Sequence, residues 1–105
     1  APGYSKQFFM FGPRDLHRPG ETVILNGLLR DADGKALPDQ PIKLDVIKPD
    51  GQVLRSVVSQ PENGLYHFTW PLDSNAATGM WHIRANTGDN QYRMWDFHVC
   101  PSVWR

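Results

Sequence analysis

"MWHIRANTGDNQYRMWDFHV", residues 80–99, alternates apolar and polar side chains on both sides of a turn. Trp81, Ile83 and Ala85 alternate with His82 and Arg84, while Trp95, Phe97 and Val99 alternate with Asp96 and His98. A period of two belongs to a β-strand and gives each arm one apolar and one polar face. A loop centred on Gly88-Asp89-Asn90 pairs Ile83 with Trp95 and Trp81 with Phe97, so the two apolar faces coincide. Slipping the register by one residue would set indoles against polar groups.

The same pattern extends outward. Nine Gly and nine Pro are spread so evenly that an ordinary helix has almost nowhere to fit. Between them lie seven expected strands: Gln7–Phe11, Thr22–Arg30, Ile42–Lys48, Gln52–Ser59, Leu65–Trp70, Met80–Ala85 and Tyr92–Val99. Val23, Leu25 and Leu29 share one parity with Gly27 between them; so do Ile42, Leu44 and Val46, and Tyr66, Phe68 and Trp70. Pro19-Gly20 suits a type II turn, because proline presets the second position and glycine accepts the positive φ of the third. Pro49-Asp50-Gly51 suits a three-residue hairpin loop, which pairs Val46 with Leu54 and Ile42 with Val58. The expected fold is a seven-stranded antiparallel β-sandwich of the immunoglobulin or fibronectin type III kind. Its first, second and fifth strands form one sheet, and the other four form the second.

Composition limits the function classes. A chain of 105 residues fits one domain that can bury a core without disulfides. Eleven basic and eleven acidic side chains balance, so nothing points to nucleic acid or an anionic membrane. No apolar run approaches the roughly 20 residues of a membrane-crossing helix, so no direct membrane insertion is expected. The start at Ala1-Pro2-Gly3, without Met, reads as a piece of something longer or a matured chain. The single Cys100 makes no internal bridge and reads as an end-group.

Candidate chemistry is sparse. In the hairpin register His82 lies opposite Asp96 with His98 nearby, a weak candidate metal set weighed against a solvated cross-strand pair. His17 is expected in a turn and His67 on the other sheet. "DADGKALPDQ", residues 31–40, fails as a calcium loop: Gly34 follows Asp33 at once and no Glu stands at the required distance. There is no nucleophile elbow and no phosphate-binding loop. Trp70, Trp81 and Trp95 fall on core parity, leaving only Trp104 outside the pattern. No catalytic residue, metal or cofactor is expected. The residues singled out are structural: Pro19, Gly20, Gly27, Tyr66, Phe68, Trp70, Trp81, Ile83, Trp95 and Phe97.

"RDLHRPGETVILNGLLRD", residues 14–31, resembles the signature of a macroglobulin domain of the bacterial α2-macroglobulins. The residues that carry the likeness are Arg18, Pro19, Gly20, Glu21, Thr22, Val23, Gly27, Arg30 and Asp31. "PDQPIKLDVIKPDGQVL" and "ENGLYHFTWPLDSNAATGMWHIRA" continue it, so that it covers Phe8 to Val99. The resemblance implies a fibronectin-like domain of the second-position (MG2) type over residues 1–99, followed by a tail, 100–105, foreign to the family. It implies a non-catalytic scaffold in a periplasmic protein, often an inner-membrane lipoprotein, that inhibits endopeptidases through a bait segment and, in some members, a Cys–Gln thioester. Neighbouring macroglobulin domains would be the direct partners, and target proteases would be met by the whole molecule. Neither active element is visible here: Cys100 is followed by Pro101-Ser102-Val103 and not by the Gln of a thioester signature, and no long, irregular protease-susceptible segment occurs. The competing expectation is an adhesion-type module, binding through His82, Arg84, Met94, Asp96 and His98 or through the turn 73–78.

Overall fold

Each apolar stripe demands a second layer to bury it, and the computed structural model, which describes residues 6–101, supplies that layer. The strands are β1 (Gln7–Phe11), β2 (Leu16–His17), β3 (Thr22–Arg30), β4 (Ile42–Ile47), β5 (Val53–Ser59), β6 (Leu65–Pro71), β7 (Gly79–Asn86) and β8 (Tyr92–Val99). They form a three-stranded sheet, β1-β3-β6, and a five-stranded sheet, β2-β8-β7-β4-β5. Both memberships agree with the expectation from sequence; β2 is the addition. Trp104 and the remainder of the tail from residue 102, like Ala1, Pro2 and Gly3, lie outside the described residues.

The core sits between the layers. Val23, Leu25 and Leu29 of β3 and Tyr66 of β6 meet Ile42, Leu44, Val46, Trp81, Ile83, Ala85, Phe97 and Val99 from the opposite sheet. Phe68, Trp70 and Trp95 are partly buried and pack against this cluster. Gly27 answers a steric demand: a Cβ there would lie 2.3 Å from Cζ of the buried Phe8. Phe8 in turn meets Tyr66 edge to face, with centroids 5.2 Å apart. Glycine at position 27 therefore lets an aromatic ring lie flat on the sheet.

The Pro19-Gly20 junction does what its chemistry suggests. Gly20 has φ +88°, and the Glu21 N–H donates to the Arg18 carbonyl at 3.1 Å. The turn carries the chain from β2 in one sheet to β3 in the other.

Two local expectations are corrected. His17 is not in a turn. Leu16 and His17 pair in parallel with His98 and Val99, through His98 N–H to Asp15 C=O at 2.7 Å and Cys100 N–H to His17 C=O at 2.8 Å. A two-residue strand is too short for periodicity to reveal, and its role is to cover the exposed edge of β8. The second correction concerns the β4–β5 register. The Pro49-Asp50-Gly51 loop forms as expected, with Gly51 N–H donating to Lys48 C=O at 2.9 Å and Gly51 at φ +89°. Beyond it, however, Ile47 pairs with Val53 and Val46 with Arg55, so Leu54 is skipped. This bulge re-aims the strand. Ile42 meets Ser59, and Val58 points outward, 63% exposed, while Val57 takes the inward position beside the core. The β7–β8 register is as read: Trp81 opposite Phe97 and Ile83 opposite Trp95.

Candidate functional site

The polar face of the five-stranded sheet gathers the candidate residues. His82 and Asp96 are register partners, and His82 Nδ1 lies 2.6 Å from Asp96 Oδ1. His98, two residues along β8, is instead opposite Met80 on one side and Leu16 on the other. Among the described residues, no group of three or more His, Cys, Asp or Glu side chains stands close enough to hold a metal ion. The His82–Asp96 pair is largely solvated and has the character of a cross-strand contact, worth about 0.2–1 kcal/mol.

A more ordered cluster lies one strand further in. Asp45 on β4 faces Arg84 on β7 and Ser56 on β5. The Arg84 guanidinium donates to Asp45 Oδ2 from Nη2 at 2.9 Å and from Nε at 3.2 Å. The Ser56 hydroxyl donates to Oδ1 at 2.5 Å. Arg84 also lies over the Tyr92 ring, 5.3 Å from its centroid. Although Asp45 is on the outward parity, these neighbours leave it only 4% exposed. Burial acts to raise its carboxyl pKa, but the Ser56 and Arg84 hydrogen bonds outweigh it, and the net position is below the ordinary carboxylate value. Sequence reading missed this cluster, because Asp45 looks like any polar residue in an alternating strand. Ser56 meets it only because of the bulge.

His17 is another buried polar residue. It is 2% exposed, its ring edge packs on Phe97 with centroids 5.6 Å apart, and Nδ1 has no hydrogen-bond partner. Desolvation, reinforced by Arg14, lowers its pKa from 6.5 against the opposing pull of Glu21 and Asp15. Because the folded value is depressed, the stability tied to neutral His17 is complete above 6.5. It declines as pH falls below 6.5 and keeps declining down to the folded pKa, with a slope of at most about 1.4 kcal/mol per pH unit. Thermal melts from pH 8 to pH 5 should show a midpoint that drops on the acid side, and His17→Phe should flatten that limb. An equally steep limb in the variant would exclude His17 as its source.

Two further stretches weighed from sequence, the loop rejected as a calcium site and the turn 73–78, have plain roles. The acidic loop after β3 is closed on itself: Asp31 Oδ1 accepts the Asp33 and Lys35 N–H groups at 2.9 Å each. The turn 73–78 is tethered to the core by the Trp81 indole, whose N–H donates to the Ala77 carbonyl at 2.8 Å. A groove of about 660 Å³ lies beside this tether, between Trp70, Leu72, Trp81, Leu54 and Lys48.

Comparison with known proteins places this geometry. The family model for the MG2 domain matches residues 7–99. The alpha-2-macroglobulin of Escherichia coli K12 is 98% identical over 99 residues, which cover 94% of this chain and 6% of that protein. A crystal structure of trypsin-activated alpha-2-macroglobulin from Escherichia coli superposes with a TM-score of 0.89 at 98% identity, covering 94% of this chain and 7% of that one. Salmonella alpha-2-macroglobulin reacted with methylamine gives 0.90 at 80% identity, covering 95% and 6%. The chain thus spans only about 6% of the length of its E. coli relative. From the matched span and these identities it follows that the chain belongs to the bacterial alpha-2-macroglobulin family, as an MG2 domain.

Proposed function

We propose that this domain is a non-catalytic scaffold element, and that it contributes to endopeptidase inhibition only within a longer alpha-2-macroglobulin molecule. The observation that carries the reading is one of proportion: a family match over residues 7–99 on a chain that spans 6% of the E. coli relative. Its distinctive side chains support it further. Trp81, Ile83, Phe97 and Tyr66 are buried in packing, Gly27 makes room for Phe8, and Pro19-Gly20 joins the sheets. Two related structures are of E. coli alpha-2-macroglobulin activated by trypsin and by porcine elastase, so endopeptidases are the class of target that the parent molecule would meet. Neighbouring macroglobulin domains are its direct partners in this reading, and the periplasm, with the parent anchored as an inner-membrane lipoprotein, is the compartment.

The test is to incubate the isolated domain and the intact E. coli protein, each at stoichiometric concentration, with trypsin and elastase. Activity toward a large protein substrate should fall with the intact protein and stay unchanged with the domain alone. Inhibition by the isolated domain would end the scaffold reading. Fractionating cells that express the parent checks its compartment.

A further inference from the structure

The two outer faces of the sandwich differ in character. Outward side chains of the five-stranded sheet mix charged Lys43, Arg84 and Asp96 with exposed apolar groups such as Met80, Tyr92 and Met94. Those of the three-stranded sheet include no carboxylate. Phe9 on β1, Leu28 on β3 and Leu65 on β6 are direct register partners and form one apolar row across all three strands. Phe11, Asn26 and His67 form the next row, and the two polar residues in it are bonded to each other, His67 Nδ1 to Asn26 Oδ1 at 2.9 Å. Ile24 follows, opposite Thr69. The one cationic side chain at the margin, Arg30, directs its guanidinium to the Leu29 carbonyl. Phe9 and Phe11 are 51% and 47% exposed, and Ile24 and Leu65 are exposed as well. A largely apolar face without a carboxylate is of the kind that domains bury against partners.

We infer that the outer face of β1-β3-β6 is an interdomain contact, covered by a neutral, apolar surface of another domain of the same longer chain. The inference rests on the scaffold reading and says which face does the docking. Size decides between occupants. Three strands about 4.8 Å apart and about six residues long give a face of roughly 300 Å², hence roughly 600 Å² in total when covered. That is enough for neighbouring domains of one chain but about half of what separate proteins need for a stable interface. A tethered neighbour meets the face at an effective concentration of about millimolar, which a second, untethered copy lacks. Most of the parent's length lies outside this domain, since the chain spans 6% of the E. coli relative. The first strand of the fold, β1, is itself an edge of this face.

Hydroxyl-radical footprinting of the isolated chain and of the intact E. coli protein tests this. Oxidation of Phe9 and Phe11 should fall at least fivefold in the intact protein, while Met94, exposed on the opposite sheet, changes less than twofold. Equal oxidation of Phe9 and Phe11 in both samples overturns the inference. If protection then appears at Met94, Met80 and Tyr92 instead, the scaffold reading survives with a different docking face; if no residue is protected, both fall. Sedimentation of the isolated chain at about 100 μM should show a monomer. A dimer that protects Phe9 would assign the face to a second copy and likewise overturn the inference.

Discussion

Phe97→Ala should cost about 3–5 kcal/mol, the range for emptying a fully buried aromatic site. The ring is 1% exposed and stands at the centre of an aromatic cluster. Trp81 stacks on it at 5.8 Å, Trp95 lies tilted at 5.7 Å, and His17 meets it edge to face at 5.6 Å. Three rings held by a fourth cannot collapse into the space it leaves without breaking their own contacts, so the cavity persists. Against a total of about 5–15 kcal/mol for a domain of this size, such a loss takes a large part of the margin. Urea unfolding should show a lower midpoint at an unchanged slope, and the emission of Trp81 and Trp95 should red-shift at a lower denaturant concentration. A loss below about 1 kcal/mol would mean that the cluster repacks and that β8 is not central to the core.

Arg84→Met tests the buried polar cluster on the outer face. The substitution keeps most of the side-chain stem and removes the guanidinium, leaving the Asp45 carboxylate with the Ser56 hydroxyl as its remaining side-chain partner. Removing one member of a buried pair costs about 3–5 kcal/mol; because Arg84 is itself 34% exposed and screened, roughly 2 kcal/mol is the appropriate figure here. The pH dependence has a definite sign. Asp45 titrates below the ordinary carboxylate value in the folded protein, so its contribution is present above the unfolded carboxylate pKa and is lost as pH falls through the folded one. Without Arg84 the folded pKa rises, and acid unfolding should begin at higher pH. Replacing both partners, as Asp45→Leu with Arg84→Met, should recover part of the loss, since no charge is then left buried. Melting curves of the unsubstituted chain and the two variants decide the matter. A double variant no better than Arg84→Met would show that the cluster contributes packing and not charge pairing.

How much of this was legible beforehand depends on the range of the interaction involved. The β7–β8 hairpin could be read to the residue, because alternation over two eight-residue strands and a Gly-containing loop agree on one register. The β4–β5 hairpin could not. Its loop chemistry was read correctly, yet the bulge at Leu54 moved every later pair by one position. A bulge is chosen by what the strand meets across the sheet, and here it brings Ser56, not Arg55, to the Asp45 carboxylate. The metal candidate failed for a similar reason. Register brings His82 to Asp96, but Leu16 and Met80 flank His98, and Leu16 belongs to a strand that no local pattern announces.

Alternating hydropathy and turn residues, which act over a few positions, determined by themselves seven of the eight strands, the division into two sheets and most of the core; the likeness to macroglobulin domains was carried separately, by the motif residues of 14–31 and the stretches that continue it. Tertiary structure alone decided the β2 strand that covers the edge of β8, the bulge in β5, the burial of His17 and Asp45, and the contrast between an outer face with carboxylates and one without. Those features arise between residues distant along the chain, where burial and pairing are set by neighbours that folding brings together and not by the local order of side chains.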